Sequence, residues 1–375
     1  MTNSGRLVAA GALLLLTIAF WYLGKPKDHA LVVYCAHDAV FAESILRDFE
    51  QRSGIKVAAR FDTEATKSLG LVELLVREKE SPRCDVFWNN EMLGTMDLAE
   101  RGVLESYRGP GWERMPAQFK DPDARWTGFA ARFRVHIVNT TKLSADDPRV
   151  AELAKPEVSG DLSRTAAAKP LYGTTLTHYA VWWQTWGADR LRSWHERTRK
   201  LGLRELNGNG AVKDAVAQGA CDHGFTDTDD FFAAKDSGAP VDMRPVRLAS
   251  GQTICIPNTV SMIRGSRKQA AARKLIDYLL SSETELALAR SKSRQVPLSP
   301  VAEEQLPEEV RAMRSWVTDG VPLSLLVEAR AACLEWLKSG MTDEACLLQG
   351  TQRGARSIRC IEEVQKCPLF PSMCS

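Results

Sequence analysis

The chain has 375 residues, of which 44% are hydrophobic and 26% charged, with a formal net charge of +2 at pH 7. That length exceeds what one core ordinarily serves and points to two lobes, and the apolar fraction is that of a soluble globular protein. A near-neutral balance with no long basic run excludes a nucleic-acid binder held by charge.

The N-terminus stands apart. After Arg6 comes the apolar run LVAAGALLLLTIAFWYLG, closed by Lys25, Pro26 and Lys27. A basic start before an apolar stretch reads as an export signal over residues 1–29. No clear small-x-small cleavage site follows, and Trp21 and Tyr22 suit a membrane interface, so a retained tether through residues 7–24 is the competing reading. Both place the body of the protein in the periplasm or otherwise outside the cytoplasm. Nine cysteines then permit disulfides. Five fall late, Cys333, Cys346, Cys360, Cys367 and Cys374, and are expected to staple a C-terminal appendage. The odd total leaves at least one thiol unpaired or bridging to another chain.

In chain order, ALVVYCA predicts a buried strand. A helix follows on the spacing of Val40, Phe41, Ile45, Leu46 and Phe49, stopped by Gly54. IKVAARF predicts a second strand, DTEATKSLGLVELLVREKE a second helix and CDVFWNN a third strand. Strands alternating with helices across short joints mean parallel pairing in an open α/β sheet. RWTGFAARFRVHIVNTT reads as extended segments leaving this unit, and a second α/β region runs from about Thr141 to Cys255. ICIPNTVSMI is extended again, RKQAAARKLIDYLLS is an amphipathic helix, and the chain beyond Pro297 is mostly helical before a polar, cysteine-bearing tail from about Gly340.

Ligands of open α/β sheets gather at the carboxyl ends of the strands. Those ends deliver His37 and Asp38, then Asn89, Asn90 and Glu91, and finally the TDTDD stretch after CDHGF. Each group also has a plain structural reading. His37 or Asp38 can cap the helix that starts there, Glu91 can be a first-turn acid, and Asp227, Asp229 and Asp230 can do the same ahead of FFAAK. On the anion side, YGTTLTH and NGNGAV predict helix N-termini with free N–H groups, to which Thr174, Thr175 and Asn209 add side-chain donors, with Thr63 as a further candidate. No Walker loop, nucleophile elbow or paired-histidine zinc motif is present, and the expectation is a binding protein rather than an enzyme. A metal-dependent hydrolase built on the acidic cluster is the remote alternative.

LVVYCAHDAVFAESILRDFEQRSGIKV, SPRCDVFWNNE, GFTDTDD, IPNTVSMIRG and AARKLIDYLLS, in that order, resemble the ferric-iron-type solute-binding proteins of bacterial ABC importers. The resemblance runs from about Leu31 to Pro300. It implies the two-lobed α/β periplasmic-binding-protein fold: lobe one over 30–132 and again 258–305, lobe two over 133–257, hinge strands between them, and a helical, cysteine-bearing extension over 306–375. It further implies a monomer that holds its ligand in the inter-lobe cleft and delivers it to a membrane permease driven by a separate ATPase. In the family a histidine, a glutamate and two adjacent tyrosines hold Fe(III), with a synergistic anion. His37 and Glu91 fall on the first two positions, and Asp229 and Asp230 replace the tyrosines, with Asp227 in reserve. Aspartate is ionised near neutral pH where phenol is not, so oxygen coordination survives with less selectivity for a ferric ion. An organic or phosphorylated anion in the same cleft is the alternative ligand.

Overall fold

The structure is a computed structural model and describes residues 30–62 and 69–352. The apolar N-terminal run, Thr63, Cys360, Cys367 and Cys374 lie outside those residues, and no side chain is described at Cys346. The strands are β1 Leu31–Cys35, β2 Val57–Phe61, β3 Val86–Asn89, β4 Leu104–Glu105, β5 Thr127–Asn139, β6 Thr165–Ala168, β7 Arg204–Leu206, β8 His223–Asp227, β9 Val241–Pro245 and β10 Cys255–Ile263. Numbering only helices of eight residues or more, the first lobe contains α1 Ala39–Ser53, α2 Leu69–Arg77 and α3 Leu93–Glu100. The middle of the chain forms α4 Gly173–Trp186, α5 Ala188–Lys200, α6 Asn209–Ala217 and α7 Thr228–Asp236. The return carries α8 Gln269–Leu279, α9 Ser282–Arg290 and α10 Val327–Gln352.

The strands join in the order β2-β1-β3-β10-β5-β8-β6-β7. β1 pairs in parallel with β2 and β3, as the strand–helix alternation of the first ninety residues requires. α1 buries Ala42, Ile45, Leu46 and Phe49 against this sheet and ends at Gly54 in the left-handed conformation, where its N–H bonds Glu50 O. α8 covers the sheet through Ala272, Leu275, Ile276 and Leu279, the apolar stripe legible in its sequence.

Two long strands connect the lobes. All thirteen residues of β5 are buried; its first half pairs antiparallel with β10 and its second half with β8 and β9. The break lies where the sheet changes lobes. The β5–β10 register shifts between Pro257 and Asn258, and Ala130 opposite has φ 39°, in the left-handed region that a residue with a Cβ rarely adopts. Asn258 Nδ2 donates to Ala130 O and Gln295 Oε1, which satisfies the carbonyl at the kink. In lobe two β6 runs parallel to β7 and β8. Gly224 is needed there because a Cβ would come 2.4 Å from the Ala166 carbonyl oxygen.

The C-terminal part departs from expectation in two ways. The helix that starts at Val327 continues through Gly340 to Gln352 rather than stopping near that glycine; a single glycine costs a helix only about 1 kcal/mol. This helix packs on α4 of lobe two and on α3 of lobe one. Cys333 is a free thiol buried in that packing, as Cys84, Cys221 and Cys255 are buried and free elsewhere. Burial pushes the Cys333 thiol up to about 12. Hydrophobic packing, not a Cys333 disulfide, fixes this helix to the lobes.

Candidate functional site

A cavity of ≈ 220 Å³ opens between the lobes. That is smaller than the ~300 Å³ at which pockets for drug-sized ligands begin. Lobe one contributes Asp38, Val40, Phe41 and Asn90, and lobe two contributes Tyr172, Gly173, Thr174, Thr175, Gly208, Asn209, Gly210, Asp227, Asp229 and Asp230. Arg132 lies on the β5 crossing between them.

The carboxyl end of β8 delivers the acids. Asp227 closes that strand, and Asp229 and Asp230 stand in the first turn of α7, where the helix dipole favours negative charge. Oxygen atoms of these three aspartates lie within 4.8 Å of one another. They are not equivalent. Asp227 Oδ1 accepts from Arg134 Nη1 at 2.7 Å. Its Oδ2 accepts from Thr174 Oγ1 at 2.6 Å, Asn209 Nδ2 at 3.0 Å and Arg132 Nε at 3.4 Å. Asp227 therefore spends its lone pairs on protein donors. Asp229 Oδ2 lies 3.8 Å from Arg132 Nε, and Asp230 Oδ2 accepts from Thr226 Oγ1 at 3.0 Å.

Two arginines answer the acids. Arg132 and Arg134 alternate along β5 and so share one face of it, in a strand that is buried throughout. Arg132 Nη2 donates to Asn90 O at 2.6 Å, which ties the crossing to lobe one, while its Nε faces Asp227 and Asp229 in lobe two. Burial opposes its charge, but the carboxylates of Asp229, Asp227, Asp38 and Asp230 outweigh that cost, and its pKa stands above the ordinary guanidinium value. Nη1 of Arg132 and Nη2 of Arg134 are buried without a hydrogen-bond partner. A buried donor left unmade costs free energy, about 1–3 kcal/mol and more when charged, so each is a standing demand for an acceptor. No sequence motif marks these arginines; the signal is two arginines two residues apart in a segment that folds as a fully buried strand.

Two helix N-termini open on the same cavity. α4 begins at Gly173 and α6 at Asn209, after Gly208 with φ 97°. The N–H groups of their first turns have no acceptor within the helix. The side chains of Thr174 and Asn209 are turned to Asp227, and Thr175 Oγ1 donates to Asn209 Oδ1 at 3.2 Å. Of the anion candidates, Thr174, Thr175 and Asn209 thus meet at one place, with backbone N–H groups as the donors left over.

The four-residue metal set is not assembled. Neither His37 nor Glu91 lines the cavity, and among the described residues neither joins the aspartates in a group able to hold a metal. His37 is buried with its ring 5.8 Å from Phe41 and 5.5 Å from Trp88, and its Nε2 sits 3.2 Å from Gln295 Nε2. The flat ring has been taken into an aromatic stack behind the cleft. Glu91 serves the start of α3: Oε1 accepts from Gly94 N at 2.8 Å and from Asn89 Nδ2 at 3.3 Å, and Oε2 from Thr177 Oγ1 at 3.5 Å. Its carboxylate satisfies an orphan helix donor, the structural role that the sequence left open. Asp38 occupies the cap position of α1 without a side-chain cap bond and faces the cavity instead.

Comparison with known proteins agrees with this architecture. A family model described as bacterial extracellular solute-binding protein matches residues 94–319. The Fe(3+)-binding periplasmic protein of Serratia marcescens is 26% identical over 209 residues, covering 55% of this chain and 59% of that one. The apo ferric ion-binding protein A of Pasteurella haemolytica superposes with a TM-score of 0.70 at 21% identity, covering 83% of this chain and 97% of that one. The periplasmic binding protein AfuA of Actinobacillus pleuropneumoniae, solved with fructose-6-phosphate bound, superposes with a TM-score of 0.63 at 19% identity, covering 82% and 98%.

Proposed function

Because the chain belongs to the bacterial extracellular solute-binding protein family, we propose that it is an extracytoplasmic receptor that passes its ligand to an ABC permease and its ATPase, and that this ligand is a small organic anion. The observation that carries the ligand is Arg132, buried on the inter-lobe crossing, lining the cavity and holding one guanidinium nitrogen without a protein acceptor. An oxyanion of a phosphate or carboxylate supplies that acceptor through a charge-assisted hydrogen bond to Nη1, since Nη2 is given to Asn90 O and Nε faces Asp227. The first-turn N–H groups of α4 and α6 offer donors from the lobe-two side. Arg132 already touches both lobes, so an anion seated on it stabilises the closed arrangement, in a hinge-closing cycle.

Ferric iron is the second reading. The three aspartates with oxygens inside 4.8 Å favour it, as does the likeness to iron-binding relatives. Against it, Asp227 is already saturated by four donors, His37 and Glu91 stand outside the cavity, and a trivalent cation would lie beside two guanidiniums. Titration calorimetry of the wild type and of Arg132→Gln separates the two. Loss of organic phosphate or carboxylate binding in the variant supports the anion reading. Tight Fe(III) uptake from citrate that survives Arg132→Gln and disappears in Asp229→Asn/Asp230→Asn overturns it.

A further inference from the structure

We propose that the anion carries a compact apolar body, a single aromatic ring, and that Phe41 and Val40 of lobe one receive that body and set the selectivity of the cleft against polyhydroxylated anions. The inference rests on the anion reading above and adds what lies beyond the acid group.

Val40 and Phe41 stand in the first turn of α1, and both line the cavity. Val40 is 74% exposed, one of two large hydrophobic side chains so exposed among the described residues. A single exposed valine is ordinary. This one stands next to an aromatic ring, on the wall of a cavity also lined by Arg132, whose Nη1 has no protein acceptor. Phe41 is held from behind. Its ring stacks on His37 at 5.8 Å and 30°, His37 lies 5.5 Å from Trp88, and Trp88 lies 5.6 Å from Phe129. Trp88 and Phe129 are buried in the core, so this aromatic ladder runs from the core to the cavity and fixes Phe41 before a ligand arrives. A side chain already fixed loses little freedom on binding. Ala168, Tyr172 and Ala233 add apolar surface from lobe two. Apolar walls with a few placed polar groups are the ordinary form of a small-molecule site.

The polar side chains of the wall argue against a sugar-like body. Asp227 is given to four donors. Thr174 bonds Asp227, and Thr175 bonds Asn209. Asn90, Asp38, Asp229 and Asp230 are likewise engaged within the protein. A hydroxyl brought into the cleft would compete with these bonds, and one that leaves water without gaining a partner costs free energy. A ring needs no partner. Size sets how large the body can be: an apolar cavity of about 150 Å³ accepts benzene, so ≈ 220 Å³ accommodates one ring with its acid group.

Titration calorimetry of the full chain with two matched pairs tests this. Phenyl phosphate and glycerol 3-phosphate share a phosphate monoester; benzoate and glycerate share a carboxylate. Burial of a ring predicts at least tenfold tighter binding of the aromatic member in at least one pair. At least one of Val40→Ser and Phe41→Ser should cut that preference by about threefold or more. Val40 is exposed, so its variant keeps the test open should Phe41→Ser fail to fold. A preference below tenfold in both pairs, or a tenfold preference that neither variant diminishes, overturns the inference and leaves the anion reading standing. No binding of any of the four probes overturns both.

Discussion

Asp227→Asn would expose how the cleft is held together. In the wild type this one carboxylate answers Arg134 at 2.7 Å, Thr174 at 2.6 Å, Asn209 at 3.0 Å and Arg132 at 3.4 Å. The arginine side chains are 0% and 3% exposed, so bulk water is a poor replacement for the lost carboxylate. The amide keeps the shape, removes the charge and offers N–H groups where acceptors are needed. Breaking a buried pair from one side costs about 3–5 kcal/mol, because the abandoned charge stays buried. For a chain of this size the melting temperature should fall by roughly 6–20 °C, at about 2–4 °C per kcal/mol. Urea denaturation followed by circular dichroism measures the loss. Added inorganic phosphate should raise the midpoint of the variant more than that of the wild type, since an oxyanion in the cavity restores an acceptor to Arg132, which lines it. A loss below about 1 kcal/mol, or equal phosphate effects on both proteins, would show that Asp227 is not the keystone of this charge network.

Two further outcomes follow from buried titratable groups. Burial pushes His136 and His178 well below the ordinary imidazole range and His223 down to about 4. The unfolded chain takes up protons near pH 6.5 that the folded chain refuses, so stability is full above that pH and falls on acidification, by up to about 1.4 kcal/mol per pH unit for each histidine. Urea midpoints at pH 7 and pH 5 should differ accordingly, and equal midpoints would contradict the buried neutral state. Glu91→Gln should cost stability, about 1.5–3 kcal/mol for charge-assisted bonds at the start of α3 and across to Thr177, while leaving ligand affinity within about twofold (under ~0.5 kcal/mol); a large loss of affinity would return Glu91 to the binding site.

Much of the architecture was readable in the sequence because it depends on periodicity. LVVYC, VAARF and VFWN form the expected parallel strands β1, β2 and β3, and the extended stretches near Gly128–Val138 and Pro257–Ile263 lie in β5 and β10, the strands that join the lobes. The acids after CDHGF come to the cleft because β8 ends there and α7 begins. What did not carry over is orientation. Position in a motif places His37 and Glu91 at the right strand ends, but not which way each side chain turns. Aromatic neighbours draw His37 inward, and the unpaired N–H of Gly94 takes Glu91. Arg132 and Arg134 escaped notice because one-residue alternation in a buried strand looks like core patterning until the partner Asp227 is in place. The free thiol of Cys333 shows the limit of cysteine arithmetic, since an export context permits a disulfide but geometry decides it.

The central claim, that the cleft takes an organic anion at Arg132, is tested most directly by native mass spectrometry of the protein isolated from its own compartment. A bound small organic species that carries phosphate or carboxylate, and that is missing from Arg132→Gln, is the predicted result. A mass increment of iron, retained in that variant, would contradict it.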